Sequence, residues 1–440
     1  MIYGILSTIA FIIILPFWLV LGLFKPKLLD GFKEKCGFYN PIEACGLGHC
    51  DESKKIVFYG VSVGEVIAME NLIKKTRETF PEINIILLTG TKTGQEIAHK
   101  KLGQTCDFIS YFPFDFPFCI EGMVKTLKPD AVFVAETELW PNFANILNEK
   151  QIPLFIINAR ISDRTYKSYK KLKFIFAPIL KKYTAIYPQS RQDMEKLVSI
   201  GANPDTTKIM GNLKFDIKKP DVSSLEVEKK SQDKILLAGS THTGEDEIIL
   251  DVFNKLKKEI PNLKLIIAPR HPERNNEVFE LIKKTGFDCA KRSEQINSAN
   301  DSSSSLPALQ PSILLLDTMG ELGKFYSICD VAFIGGSFRG KWGDNCWGKG
   351  VGGHNPLEAT IFNKPVVSGP SIHNFKDIYA ILASSEAGKI AKTPQELKEQ
   401  LKKLLTDDGY YQKASKNCEE VFEQNKGALD FVLKVLQSIV

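Results

Sequence analysis

Short apolar runs alternate with amphipathic stretches along most of this chain. KKIVFYG, INIILLTGT, DFISYFPFD, DAVFVAETE, PLFIINARI and TAIYPQS each read as a buried parallel strand bounded by turn residues. Between several of them lie segments such as VIAMENLIKKTRETF, whose apolar residues recur at helical spacing. The alternation predicts an α/β domain with a doubly wound sheet. It breaks at IKKPDVSSLEVEKKSQD, residues 217–233, a polar and charged stretch expected to link two domains. A second series follows in KILLAGST, LKLIIAPRH, SILLLDTMG, VAFIGGSF and PVVSGP, with a helical tail from about Thr393. The expected organisation is therefore a first Rossmann-like domain over 25–216 and a second over 234–440, facing a cleft. EQINSANDSSSSLPALQPS, residues 294–312, is predicted to be a surface loop.

The first 24 residues, MIYGILSTIAFIIILPFWLVLGLF, carry no charge. At ~1.5 Å per residue they are long enough to cross a hydrocarbon core of ~30 Å. The basic residues Lys25, Lys27, Lys33 and Lys35 follow the run rather than precede it, and no small-x-small cleavage site is present. A membrane anchor fits better than a cleaved signal peptide, and the positive-inside rule would leave the rest of the chain in the cytoplasm. Pro16 is compatible with a membrane helix.

Composition changes this picture little. Nine cysteines without a C-x-x-C pair suit a reducing compartment. Cys45, His49 and Cys50 lie close together but fall short of a structural zinc set. A net charge of +5 is too small to imply nucleic acid and suits work beside an anionic membrane surface. DRTYKSYKKLKFIFAPILKKY, residues 163–183, mixes lysines with aromatics, as an interfacial segment or a solvated helix face would.

Ligands of open α/β sheets bind at the carboxyl ends of the strands, so the polar residues there are the candidates for chemistry. In the first half these are Ser62 and Glu65, then Thr89, Thr91 and Thr93, then Glu136 and Glu138, then Asn158 and Arg160. GVSVGE places Glu65 in the first turn of a helix, where a carboxylate serves equally as a capping charge or as a base at a site mouth. Glu136 and Glu138 stand two apart after one strand, so their repulsion calls for a shared proton or a basic partner such as Arg160. In the second half, AGSTHTGEDE offers Ser240, Thr241 and His242 at a glycine-rich helix start suited to phosphate. APRHPER adds the planar fork of Arg270 and a donor in His271. IGGSF and GGHNPLEA supply Gly335, Gly336, Gly353, His354, Asn355 and Glu358. Asn355 is placed to cap a helix begun by Pro356, and Glu358 to accept from ribose hydroxyls. No aspartate pair of metal-binding type stands at a strand end, so neither metal nor cofactor is expected.

With GVSVGE, AETELWPN, NARISDRT, GNLKFD, AGSTHTGEDE, APRHPER, DTMGELGKFY and GGHNPLEA in this order, the sequence resembles the Kdo transferases of lipopolysaccharide assembly. That resemblance implies a GT-B glycosyltransferase at the inner membrane, moving 3-deoxy-D-manno-octulosonic acid from CMP-Kdo to a lipid A precursor with inversion and without metal. It implies Glu65 as general base and Glu138 as its support or the acceptor's holder. Arg160 would meet an anionic group, Ser240, Thr241, Arg270 and His271 the CMP phosphate, and Glu358 the ribose. The run RGKWGDNCWGKGV between GGSF and GGHNPLE, around 339–351, is longer than the family pattern, and the serine-rich loop at 294–312 also departs from it. Another GT-B glycosyltransferase, or a nucleotide-sugar epimerase on the same scaffold, would share the two Rossmann halves. The uncharged start argues against a soluble epimerase. A membrane-tethered binding protein without activity would leave the strand-end carboxylates without a task.

Overall fold

The computed structural model describes residues 30–40, 53–223, 225, 227, 229–300, 311–338 and 351–440. The predicted anchor at 1–24, the Cys45–His49–Cys50 cluster and most of the 339–351 insertion lie outside the described residues. No described helix is long and apolar enough to cross a membrane. The chain divides into two compact units, one of residues up to Asp216 together with Asn425–Val440, the other Ile217–Gln424.

The first unit contains β1 (Lys55–Gly60), β2 (Asn84–Thr89), β3 (Phe108–Tyr111), β4 (Ala131–Ala135), β5 (Leu154–Ala159) and β6 (Ala185–Pro188). They form one parallel sheet in the order β3-β2-β1-β4-β5-β6. The strands are apolar on both sides because both faces are covered. Val57, Tyr59, Ile86, Val132 and Ile156 point to one core, shared with α3 (Pro117–Leu127), α4 (Pro141–Glu149) and α7 (Arg191–Ile200). Ile56, Phe58, Ile85, Phe133 and Phe155 point to the other, under α1 (Val63–Thr79) and α2 (Lys92–Leu102). Between them in sequence, α5 (Asp163–Lys171) and α6 (Lys173–Leu180) link β5 to β6.

The second unit contains β7 (Lys234–Thr241), β8 (Leu263–Pro269), β9 (Cys289–Lys291), β10 (Ile313–Leu315), β11 (Val331–Ile334), β12 (Val366–Ser368) and β13 (Gly388–Ile390). These too are parallel, in the order β13-β12-β11-β7-β8-β10-β9. The helices used below are α8 (Glu245–Lys257), α9 (Asn275–Lys283), α10 (Leu357–Thr360), α11 (Lys376–Ser384), α12 (Pro394–Thr406) and α13 (Asp408–Asn425).

Two expectations change. The final helix, α14 (Ala428–Gln437), belongs to the first unit and not to the C-terminal domain. Its Ala428, Val432 and Leu436 are fully buried in the core of Ile56 and Phe58, and Phe431 meets Tyr187 edge to face at 4.8 Å. Asp216 fastens its start by accepting the Gly427 and Leu429 amides at 2.7 and 2.6 Å. The apolar stripe of this helix completes the cover of the first sheet. The second change is at 294–300, which continue a helix from Arg292 rather than a loop. Ser293 anchors that helix through its N–H and hydroxyl to Asp317, at 2.9 and 2.6 Å. Residues 301–310 of the predicted loop lie outside the described residues.

Candidate functional site

Strand order reverses direction between β1 and β4 in the first sheet and between β7 and β11 in the second. At such a switch point the connections leave to opposite faces and open a crevice beyond the strand ends. The register Ile56↔Ala131 to Tyr59↔Val134 carries the β1 and β4 ends side by side. It brings together GVSVGE and ETE, two motifs about seventy residues apart.

Ser62 is the N-cap of α1, and Glu65 is at its third position. The two form a capping box: the Ser62 hydroxyl accepts the Glu65 amide, and a Glu65 carboxylate oxygen accepts the Ser62 amide. Gly60 allows this approach, since a Cβ there would lie 2.7 Å from the Met69 methyl and 3.2 Å from Glu65 Cβ. Glu136 leaves β4 in the left-handed region, φ 58°, which a non-glycine residue occupies only when its surroundings hold it there. Its N–H donates to the Ile157 carbonyl at 2.9 Å. Thr137 joins this turn to the next strand end, donating to the Arg160 carbonyl at 2.6 Å and accepting its N–H at 3.1 Å. Glu138 presents its carbonyl to the Tyr183 hydroxyl at 3.0 Å. Burial, then the charge of Glu65, then that of Glu136 push its carboxyl up to about 7. Glu138 therefore keeps its proton across most of the acid range, chiefly because it is buried, with the repulsion from Glu136 after the same strand as the smallest contribution. Asn158, also left-handed at φ 54°, is buried, and its side-chain oxygen accepts the Leu213 amide at 3.1 Å. It holds the GNLKFD turn and is a structural residue.

In the second unit, Ser240 takes φ 56° at the end of β7. The glycine-rich helix start after it does not leave an open anion hole. Glu245, fully buried, fills it: its carboxylate accepts the backbone amides of His242, Gly336, Ser337 and Phe338 at 2.7–2.9 Å. Burial raises this carboxyl, and those four amides oppose the rise. Thr241 is likewise occupied, its buried hydroxyl donating to Asp246 at 2.6 Å, while Asp246 also pairs with Arg274. Thr241 and Gly335 thus shape the site rather than face a ligand; a Cβ on Gly335 would stand 2.3 Å from the Ser240 carbonyl oxygen.

The groups gathered beside this frame are basic. The rings of His242 and His354 lie nearly in one plane, 10° apart, and meet edge to edge, with centroids 5.1 Å apart and a 2.8 Å Nε2···Nε2 hydrogen bond between them. His271 meets His242 nearly at right angles at 5.3 Å. Burial, followed by His242, Arg270 and His271, drives His354 down to about 4. Burial and the charges of His271, Arg274 and Arg270 also lower His242. Gly336 and Gly353 take positive φ in the turns around His354, at 74° and 73°. The Asn355 side-chain oxygen accepts the Leu357 amide at 3.1 Å, two residues on, while the N-cap position of α10 falls to Pro356. Burial raises the Glu358 carboxyl, and the charge of Arg270 opposes the rise.

A pocket of about 160 Å³ adjoins these groups, lined by Ser240, Arg270 and Asn275 on one side and Asp317, Met319 and Gly320 on the other. The second wall is the DTMG turn after β10, to which the sequence reading attached no role; a turn of this composition at a strand end was the available signal. Among the described residues, no group of three or more His, Cys, Asp or Glu is arranged to hold a metal ion.

A family profile described as 3-Deoxy-D-manno-octulosonic-acid transferase (kdotransferase) matches residues 30–217. The chain is 33% identical to a 3-deoxy-D-manno-octulosonic acid transferase of Haemophilus influenzae, over 97% of this chain and 95% of that one. It is 31% identical to the protein of the same description from Rickettsia bellii, over 89% and 90%. Among solved structures, a UDP-GlcNAc 2-epimerase from Neisseria meningitidis bound to UDP-GlcNAc aligns over 87% of this chain and all of that one. Its TM-score is 0.50 and its identity 14%, a likeness of fold alone.

Proposed function

The chain belongs to the 3-deoxy-D-manno-octulosonic acid (Kdo) transferase family, and from that premise we propose that it carries Kdo from CMP-Kdo to a lipid A precursor with inversion at the anomeric carbon. It is a glycosyltransferase. The observation that carries the finer reading is the Glu65–Glu138 pair at the first switch point.

Glu65 is the general base. The Ser62 amide uses one of the roughly four lone-pair positions of its carboxylate, which orients the group and leaves room for an acceptor hydroxyl. That hydroxyl gives its proton to Glu65 as its oxygen attacks the anomeric carbon and the bond to the CMP phosphate breaks. Glu138, protonated to about pH 7, is a hydrogen-bond donor to the acceptor and adds no second negative charge beside the base. Arg160, tied to the same turn, meets an anionic group of acceptor or sugar.

The second unit holds the nucleotide. Arg270 and His271, with His242 and His354, take the phosphate; Glu358 takes the ribose; the 160 Å³ pocket takes the pyrimidine, with the exposed Met319 side chain as apolar cover. Four cationic or cationisable side chains serve the leaving phosphate, so the reaction runs without a divalent ion. The membrane surface is met by α5 and α6, where Phe174 is 74% exposed beside Leu172, Ile175 and a row of lysines.

The test is to incubate the full chain with CMP-Kdo and a tetra-acylated lipid A precursor in the presence of EDTA and to read products by mass and anomeric configuration. Kdo-bearing lipid of inverted configuration is expected. Retained configuration, dependence on an added divalent ion, or no lipid product while CMP is bound would each overturn the corresponding part of the proposal.

A further inference from the structure

His242 and His354 come from different strand ends, the turns after β7 and after β11, and yet their Nε2 atoms meet at 2.8 Å. Such a contact needs one hydrogen between the two nitrogens. Two neutral imidazoles of opposite tautomer satisfy it, and so does an imidazolium donating to an imidazole. Two imidazolium rings do not, because both would present N–H. The pair can thus gain one proton and keep its hydrogen bond, and cannot gain two.

The surroundings decide which state prevails. Around the pair are Arg270 and His271 after β8 and Arg274 at the start of α9, the last already paired with Asp246 and Glu277, while Glu358 on α10 is beside Arg270. His373, just before α11, packs against Gly352 in the turn that carries His354. The nearest carboxylate in sequence, Glu245, is turned to four backbone amides. Glu273 lies 3.5 Å from the far ring, that of His271. Burial first, and then the positive neighbours, lower both rings and favour their neutral forms. A phosphate among these groups offsets the neighbouring positive charge and favours the added proton.

We propose that the His242–His354 pair is a proton-linked receptor for the phosphate of the nucleotide: binding draws one proton onto the pair, and the shared imidazolium donates to the phosphate oxygen. The inference rests on the nucleotide site of the preceding section. It adds that the donor's singly charged phosphodiester arrives with a proton from solvent, so the leaving phosphate departs against a cation formed only on binding.

Calorimetric titration with the methyl ester of CMP tests it, because that diester does not titrate near neutrality. Repeating the titration at pH 6 in buffers of different ionisation enthalpy counts the protons exchanged. Wild type is expected to take up close to one proton. Affinity should fall with rising pH between 5 and 7, by up to about tenfold per unit. His354→Gln and His242→Gln keep a polar side chain at the site and should bind the diester weakly, without proton uptake and with a flat pH profile. Binding by wild type without uptake overturns the proposal while leaving the nucleotide site intact. Uptake that persists in both variants places the proton on another group, His271 foremost, and overturns it as well. Failure of wild type to bind either CMP or its ester would remove the nucleotide site and the inference together.

Discussion

At the third position of α1, Glu65 accepts the Ser62 amide, and the same carboxylate lies near enough to Glu138 to raise it. Capping and catalysis are compatible in one residue, and substitution separates them. Glutamine keeps the capping box, so Glu65→Gln should change stability by less than about 0.5 kcal/mol, whereas Glu65→Ala should lose about 1 kcal/mol in urea unfolding. Both should lose ~10²–10⁴-fold in transfer rate if the carboxylate is the base. Glu138 makes a prediction in pH. Its carboxyl is raised from 4.5 to about 7, so between these values the folded chain holds a proton that the unfolded chain has released. Stability therefore falls as pH rises through that window. Glu138→Gln removes the cost of ionising this group and should raise the melting temperature at pH 8 while leaving it nearly unchanged at pH 4. Equal shifts at both pH values would contradict the assignment. The candidate residues themselves were legible in sequence because strand ends announce themselves as apolar runs broken by Gly, Thr and charge. Glu245 was not: in GEDE it reads as one acid among three, and only the fold shows it filling the amides of the Gly336 turn.

Elements depend on contacts that sequence order hides. The βα rhythm is visible along the chain, but the neighbours β1 and β4, or β7 and β11, are not, since pairing between them is set by which faces the intervening helices cover. The return of α14 to the first unit is the clearest case. Its stripe of Ala428, Val432 and Leu436 reads as an amphipathic helix of either unit, and the Asp216 cap that fixes it lies more than two hundred residues away. Leu436→Ala should cost about 2–5 kcal/mol. In hydrogen exchange it should loosen β1 and β4 of the first unit, while β7 and β11 of the second keep their protection. Loosening confined to the second unit would contradict the placement. The α5–α6 segment is tested at the same scale. Phe174→Asp changes an exposed side chain, so the melting temperature should hold, while sedimentation with phosphatidylglycerol vesicles at low salt should weaken several-fold. Unchanged sedimentation would remove that surface from the membrane contact.

On the scale of the whole molecule, one architecture occurs twice and is put to different chemical use. The first sheet sets two carboxyl groups at its switch point, the second sets histidines and arginine, and each is supported by residues in strained turns, Glu136 and Ser240. A base for a hydroxyl and cations for a phosphate are the two requirements of transfer from a sugar nucleotide. The most direct test measures Kdo transfer to the lipid A precursor and CMP affinity together, in wild type and Glu65→Gln. Kdo-bearing lipid is expected from wild type, with a loss of at least about a hundredfold in the variant and the same CMP affinity in both. Product from both at equal rates would reduce Glu65 to a helix cap and contradict the mechanism.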